Sequence, residues 1–142
     1  MKVWSKEWTE ACKEKSLKDR EYLKRTKGWT GKYFWVATGC PDGTDKSKEF
    51  HSDNGKIVFM KYEEKPTPSD LATRPFDGTK YFVRAIDPYD MWVHVLSKRK
   101  TVMWAISSGK FRFDGKAQEM IDRLPEFASY VDLASSIPVE EY

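Results

Sequence analysis

At 142 residues, with 39% hydrophobic and 33% charged side chains, the chain is long enough for one domain with a real core. Its net charge of +3, from 25 basic against 22 acidic residues, is too small an excess to imply a nucleic-acid partner. No apolar run approaches the ~18 residues needed to cross a bilayer, so stable membrane insertion is not expected.

Trp4, Trp8, Ala11 and Cys12 fall at i, i+4, i+7 and i+8 and form one side of a first helix that Ser5 can cap. The opening MKVWSKEW has no signal-peptide core, so a cytoplasmic location is expected. Ser16 and Asp19 resemble a capping box and start a second short helical piece, with Tyr22 and Leu23 as its apolar contacts and Gly28 as its end. Residues 32–38, KYFWVAT, are apolar on both faces and read as a central strand. Residues 39–55 are a polar loop with room for an edge strand near residues 49–52. Asn54-Gly55 is a hairpin signal, and KIVFMKY, 56–62, is the returning strand. Three prolines in residues 63–78 indicate a surface loop, with one helical turn near residues 69–73.

A third clear strand is KYFVRAI, 80–86. Asp87 then serves as N-cap and Pro88 as first position of a helix whose buried stripe is Met91, Trp92, Val95 and Leu96. Lys98, Arg99 and Lys100 close it. TVMWAIS, 101–107, is ambiguous: propensity favours a strand, yet Val102, Ala105 and Ile106 would also line a short helix. The chain is organised around the next stretch, residues 107–124. Phe111 and Phe113 share one face of a strand that Asp114-Gly115 breaks, and Ala117, Met120, Ile121 and Leu124 then recur at helical spacing until Pro125. A last helix presents Phe127, Tyr130, Val131 and Ala134. The order of elements is that of an α+β fold, a small and largely antiparallel sheet with helices on one face.

Catalytic signatures are scarce. The sequence has no Gly-rich phosphate loop, no H-E-x-x-H and no G-x-S-x-G. His51 falls in the polar loop and His94 off the buried stripe of its helix, so both read as solvated. Cys12 and Cys40 lack metal-ligand spacing and read as reduced structural thiols; no metal and no cofactor is expected. A small hydrolase or thiol enzyme would need Cys40, in a turn beside Pro41, or His51 to be essential. Lys80-Tyr81-Phe82 and the run from Lys110 to Phe113 loosely match the interleaving of rings and cations that stacks nucleic acid, but half-buried strands look the same. What stands out is the 15% aromatic content and the Met residues on faces that should meet. They are either plain core or the lining of an apolar site.

The C-terminal half resembles the sterol-carrier-protein lipid-binding domain. The parts that carry the likeness are YFVRAI, DMWVHVL, TVMWAIS, GKFRFDG and KAQEMIDRL; the opening helices and first strand are similar to stand-alone members. The resemblance implies a curved sheet of about five strands with helices over one face enclosing an apolar tunnel, all in one domain over residues 1–142. It also implies that TVMWAIS is a short helix. The tunnel would take a fatty-acyl or sterol-like ligand, and the chain would be a non-enzymatic binder or carrier. Its expected wall is Phe82, Met91, Val95, Met103 and Trp104, continued by Phe111, Phe113, Met120, Leu124 and Phe127. The expected partner is a lipid-like small molecule, with a homodimer left open. The alternative is a dry α+β module that acts through protein–protein contact.

Overall fold

The computed structural model describes residues 1–81, 83–109 and 112–140. Its elements are α1 (Lys6–Ser16), α2 (Arg20–Arg25), β1 (Gly31–Thr38), β2 (Thr44–Asp53), β3 (Lys56–Pro66), β4 (Val83–Pro88), α3 (Tyr89–Leu96), α4 (Val102–Ser107), β5 (Phe113–Gly115), α5 (Ala117–Asp122) and α6 (Leu124–Ser135). The strands form one five-stranded sheet in the order β3-β2-β1-β4-β5. All its pairings are antiparallel except β1 with β4, which is parallel and sets Tyr33 opposite Val83, Trp35 opposite Ala85 and Ala37 opposite Asp87.

β1 sits in the centre, as its two apolar faces require. Tyr33, Trp35 and Ala37 point into the main core beneath the helices, while Phe34 and Val36 join Ile86 and Leu71 in a second core on the opposite face. The segment at 67–81 covers that second face. Expected as a surface loop, it carries the fully buried Leu71, and one helical turn is closed by the Arg74 N–H donating to the Asp70 carbonyl at 2.8 Å.

The stretch at 44–53, read as mostly loop, is a ten-residue strand in the interior of the sheet. Several of its polar side chains survive there because they find partners. Lys46 Nζ reaches Asp42 at 2.7 Å and Glu64 at 2.9 Å, and Asp45 accepts from the Gly39 N–H and from Ser69. The hairpin at Asn54-Gly55 forms as expected, both residues having positive φ. Gly55 is needed twice over there, since an added Cβ would lie 2.1 Å from Thr26 Oγ1.

Ser5 caps α1 by accepting the Trp8 N–H. Asp19, not Ser16, caps α2; the Ser16 hydroxyl instead donates to the Lys13 carbonyl and accepts the Ile57 N–H, tying α1 to β3. Asp87 is not the cap of α3: β4 runs on through Pro88, and the Asp87 carboxylate accepts the Arg112 N–H at 2.8 Å. Residues 102–107 are helical, with Thr101 as N-cap, which resolves the ambiguity of TVMWAIS in favour of the resemblance. Met120 is buried on α5, but Ile121 is 59% exposed, because α5 is six residues long and the chain re-enters a helix at Leu124. Pro125 therefore lies in the first turn of α6 rather than ending a helix.

Candidate functional site

The helices pack on one face of the sheet, and the layer between them differs along its length. At the end formed by α1, β2 and α6 it is filled by rings. Trp4, Trp8, Trp29, Tyr33, Phe50 and Tyr130 are all buried, and Phe50 stacks on Tyr130 with centroids 5.0 Å apart. Among them stands Lys48, with none of its surface exposed. It projects from β2 on the face of the sheet it shares with Trp35, its register partner. The Nζ donates to the Tyr130 hydroxyl at 2.9 Å and lies 4.6–5.7 Å from the ring centroids of Trp4, Trp8, Trp35, Phe50 and Tyr130. Burial lowers its pKa to about 8. Burial likewise raises the neighbouring Cys12 thiol above its ordinary value.

At the other end, bounded by α3, α4, α5 and α6, the layer holds a cavity. Trp35 and Ala85 form its floor on the sheet. Trp92 and Val95 come from α3; Val102, Ala105 and Ile106 from α4; Met120 from α5; Phe127 and Val131 from α6. Every lining side chain is apolar. Trp92 is fixed by its indole N–H, which donates to the Val36 carbonyl at 2.9 Å, and its ring stacks on Trp35 with centroids 4.9 Å apart. The space arises where six elements converge and two of the lining residues are alanines, whose side chains stop at Cβ. The volume open to a water-sized sphere is about 30 Å³. Pockets that hold small molecules run to about 300–1,000 Å³, so this is a narrow slot, smaller than such a ligand needs.

Among the expected wall residues, the fold brings Val95, Met120 and Phe127 together around the slot. Met91, Trp104 and Phe113 are half-buried against the surrounding core without lining it. Leu124 is half-buried at the start of α6, away from the slot. Met103 is 57% exposed and turns outward, so it is no wall residue. Phe82 and Phe111 lie outside the described residues, as does the side chain of Ala117. Trp35, Ala85, Trp92, Val102, Ala105, Ile106 and Val131 lie outside the expected wall. The sequence carries a signal for three of them: Val102, Ala105 and Ile106 are the stripe that TVMWAIS presents if helical, whereas Met103 and Trp104 are only its bulkiest members.

Two buried ionisable groups lie on the same sheet face as the floor of the slot, without lining it. One is Lys48, which shares the Trp35 ring with it. The other is Asp87, on the same strand and face as Ala85, with 1% exposure and a second oxygen that has no hydrogen-bond partner among the described residues. Burial raises the Asp87 pKa to about 7. Cys40 is also buried, its thiol pushed up to about 12 by desolvation, which removes it as an exposed reactive thiol. His51 is half-buried and stacked on Phe59 with centroids 4.5 Å apart. No cluster of three or more His, Cys, Asp or Glu able to hold a metal occurs among the described residues. No described helix is long and apolar enough to cross a membrane.

No family model matches the chain, and no curated protein matches its sequence. Solved structures do match. A crystal structure of sterol carrier protein 2 superposes with a TM-score of 0.74 at 14% identity, covering 96% of this chain and all of the other. A conserved hypothetical protein of Thermus thermophilus, whose name suggests a sterol carrier protein, gives 0.74 at 15% identity over 95% of this chain and 89% of its own. The chain thus has the fold of sterol carrier protein 2, a five-stranded mixed and mostly antiparallel sheet with helices.

Proposed function

We propose that residues 1–142 act as a single cytoplasmic, non-enzymatic domain that binds or transfers an apolar, lipid-like ligand, fatty-acyl or sterol-like, in the slot between sheet and helices. The observation that carries this reading is the wholly apolar cavity at the convergence of six elements, two of them the six-residue helices α4 and α5. The likeness in fold to sterol carrier protein 2 supports it. Val95, Met120 and Phe127 would contact the ligand, joined by Trp35, Trp92 and the inner face of α4.

At about 30 Å³ the slot must widen before an acyl chain can enter. α4 and α5 are the elements suited to move. Each is six residues long, too short to be stable apart from its packing, and α4 holds the core by one buried residue, Ala105. Burying a chain of about sixteen carbons gains on the order of 13 kcal/mol at ~0.8 per methylene. Roughly 4–15 kcal/mol of association cost offsets it, before any cost of opening. Weak and loosely selective binding follows, which suits a carrier.

The small volume also favours the second reading, a dry module that works through protein–protein contact. Native mass spectrometry against long-chain fatty acids and sterols separates the two, with Ala105→Val as the informative variant. A slot that opens for ligand should lose uptake in Ala105→Val with little change in stability, since two methyl groups take up the space that is there. In a solid core the same substitution should cost about 1–3 kcal/mol, and the wild-type protein should take up nothing from the panel.

A further inference from the structure

α4 and α5 carry apolar side chains on their outer faces as well as their inner ones. Val102, Ala105 and Ile106 of α4 and Met120 of α5 line the slot, while Met103 and Ile121 are 57% and 59% exposed. These are two of the five large apolar side chains exposed among the described residues, and they belong to two of the shortest helices. An exposed aliphatic group on a marginal helix costs solubility and gains nothing in packing.

The charges around these helices are equally uneven. Lys98, Arg99, Lys100, Arg112 and Lys116 are all exposed, and they bracket α4 and lead into α5. Against these five cations the described residues from 98 to 116 hold one carboxylate, Asp114, already paired with Arg84 at 2.8 Å. The chain as a whole has a net charge of only +3, so this segment holds more than the entire excess. Lys98 contacts Asp132 at 3.5 Å, and Lys100 lies 4.8 Å over the half-buried ring of Trp104. Among the described residues no ion pair neutralises Arg99, Arg112 or Lys116. The acids on α5 itself are Glu119, half-buried, and Asp122, which accepts a hydrogen bond from Gln118.

We propose that the outer face of α4 and α5 is a docking surface for an anionic lipid bilayer, with Met103 and Ile121 entering the interfacial region while Arg99, Lys100, Arg112 and Lys116 meet the headgroups. Exposed aliphatics rimmed by cations and a Trp at the boundary are the pattern of an interfacial contact. A nucleic acid fits less well: phosphates would satisfy the cations but offer nothing to Met103 or Ile121, and the nearest Trp is already covered by Lys100. The surface does not depend on the slot holding a lipid, so the two ideas stand or fall separately.

The test is co-sedimentation of the intact chain with unilamellar vesicles of phosphatidylcholine mixed with phosphatidylglycerol, against vesicles of phosphatidylcholine alone and against a mixed-sequence DNA duplex. Binding to the anionic vesicles only is expected, fading as salt shortens the screening length from ~10 Å at 0.1 M toward ~3 Å at 1 M. Arg99→Glu with Lys116→Glu should lower partitioning roughly tenfold or more. Met103→Asp with Ile121→Asp should lower it comparably, and circular dichroism should show these exposed variants folded. Val58→Asp, at a 53% exposed apolar site on β3, should leave it unchanged. The proposal is overturned if anionic vesicles are not retained, if the charge and apolar variants bind as wild type does, or if the duplex is retained in their place.

Discussion

The two ends of the layer between sheet and helices are built from the same materials to opposite effect. At one end Trp4, Trp8, Phe50 and Tyr130 close around the Lys48 side chain and leave no room. At the other, Trp35 and Trp92 face two alanines and a pair of six-residue helices, and a cavity remains. Large rings fill space when long elements such as α1 and α6 hold them from both sides. Where the covering elements are short and their inward residues small, equal hydrophobicity does not give equal solidity. The comparison teaches that the filled end has no space to give, while the end under α4 and α5 keeps space that its covering side chains do not reach.

Truncation at the two ends should bring out this contrast most strongly. Trp8→Ala should cost about 3–5 kcal/mol in urea unfolding, because nothing nearby can collapse into the void. Met120→Ala, beside a cavity that already exists, should cost about 2 kcal/mol, at the low end for its type. Equal losses would break the comparison.

Charge sharpens it. Lys48 has a folded pKa of about 8 against an ordinary value of 10.5, so the unfolded chain binds its proton more tightly. Its cost to stability is therefore fully present below pH 8 and is relieved as pH rises from about 8 toward 10.5. Lys48→Met should raise stability at pH 7 by about 1–3 kcal/mol, the loss of the Tyr130 hydrogen bond offsetting part of the gain. That gain should shrink toward pH 10.5 in denaturant titrations. Asp87, near the slot, behaves in the opposite sense. Its pKa of about 7 against 3.8 means that the folded state holds the proton more tightly, so stability is lost as pH rises from about 4 to about 7. Asp87→Asn keeps the acceptor for the Arg112 N–H and should stabilise the protein by about 1–3 kcal/mol at pH 8, with little effect at pH 4. A wild-type profile flat across that acid window would show that Asp87 is solvated in the folded state. The smallest effect belongs to Met103→Ser, which should stay within about 0.5 kcal/mol of wild type in the same assay.

Much of this was legible from residue order. The double-faced apolar run of β1, the Asn54-Gly55 hairpin and the helical spacing of Phe127, Tyr130, Val131 and Ala134 led directly to the sheet centre, its second turn and α6. β2 was hidden because DKSKE has almost no strand propensity; it is held in place by pairing on both edges and by partners for Asp45, Lys46 and Lys48 that are distant in sequence. Leu71 was hidden because nothing in a proline-rich loop says which side chain turns back onto the sheet. At the slot, size misled where period would have served. Met103 and Trp104 are the bulky members of TVMWAIS, yet the helix turns Val102, Ala105 and Ile106 inward. The cavity depends on alanines and helix lengths, which a search for large apolar residues passes over.

The parallel pairing of β1 with β4 bears on how the molecule assembles. β1, β2 and β3 follow one another closely, so two successive hairpins can zip them together early. Val83, by contrast, reaches Tyr33 only after about fifty intervening positions, and that closure carries a larger chain-entropy penalty. The floor of the slot, Trp35 beside Ala85, straddles this late-forming junction. Pulse-labelled hydrogen exchange during refolding should accordingly find the β1–β2–β3 meander protected before β4.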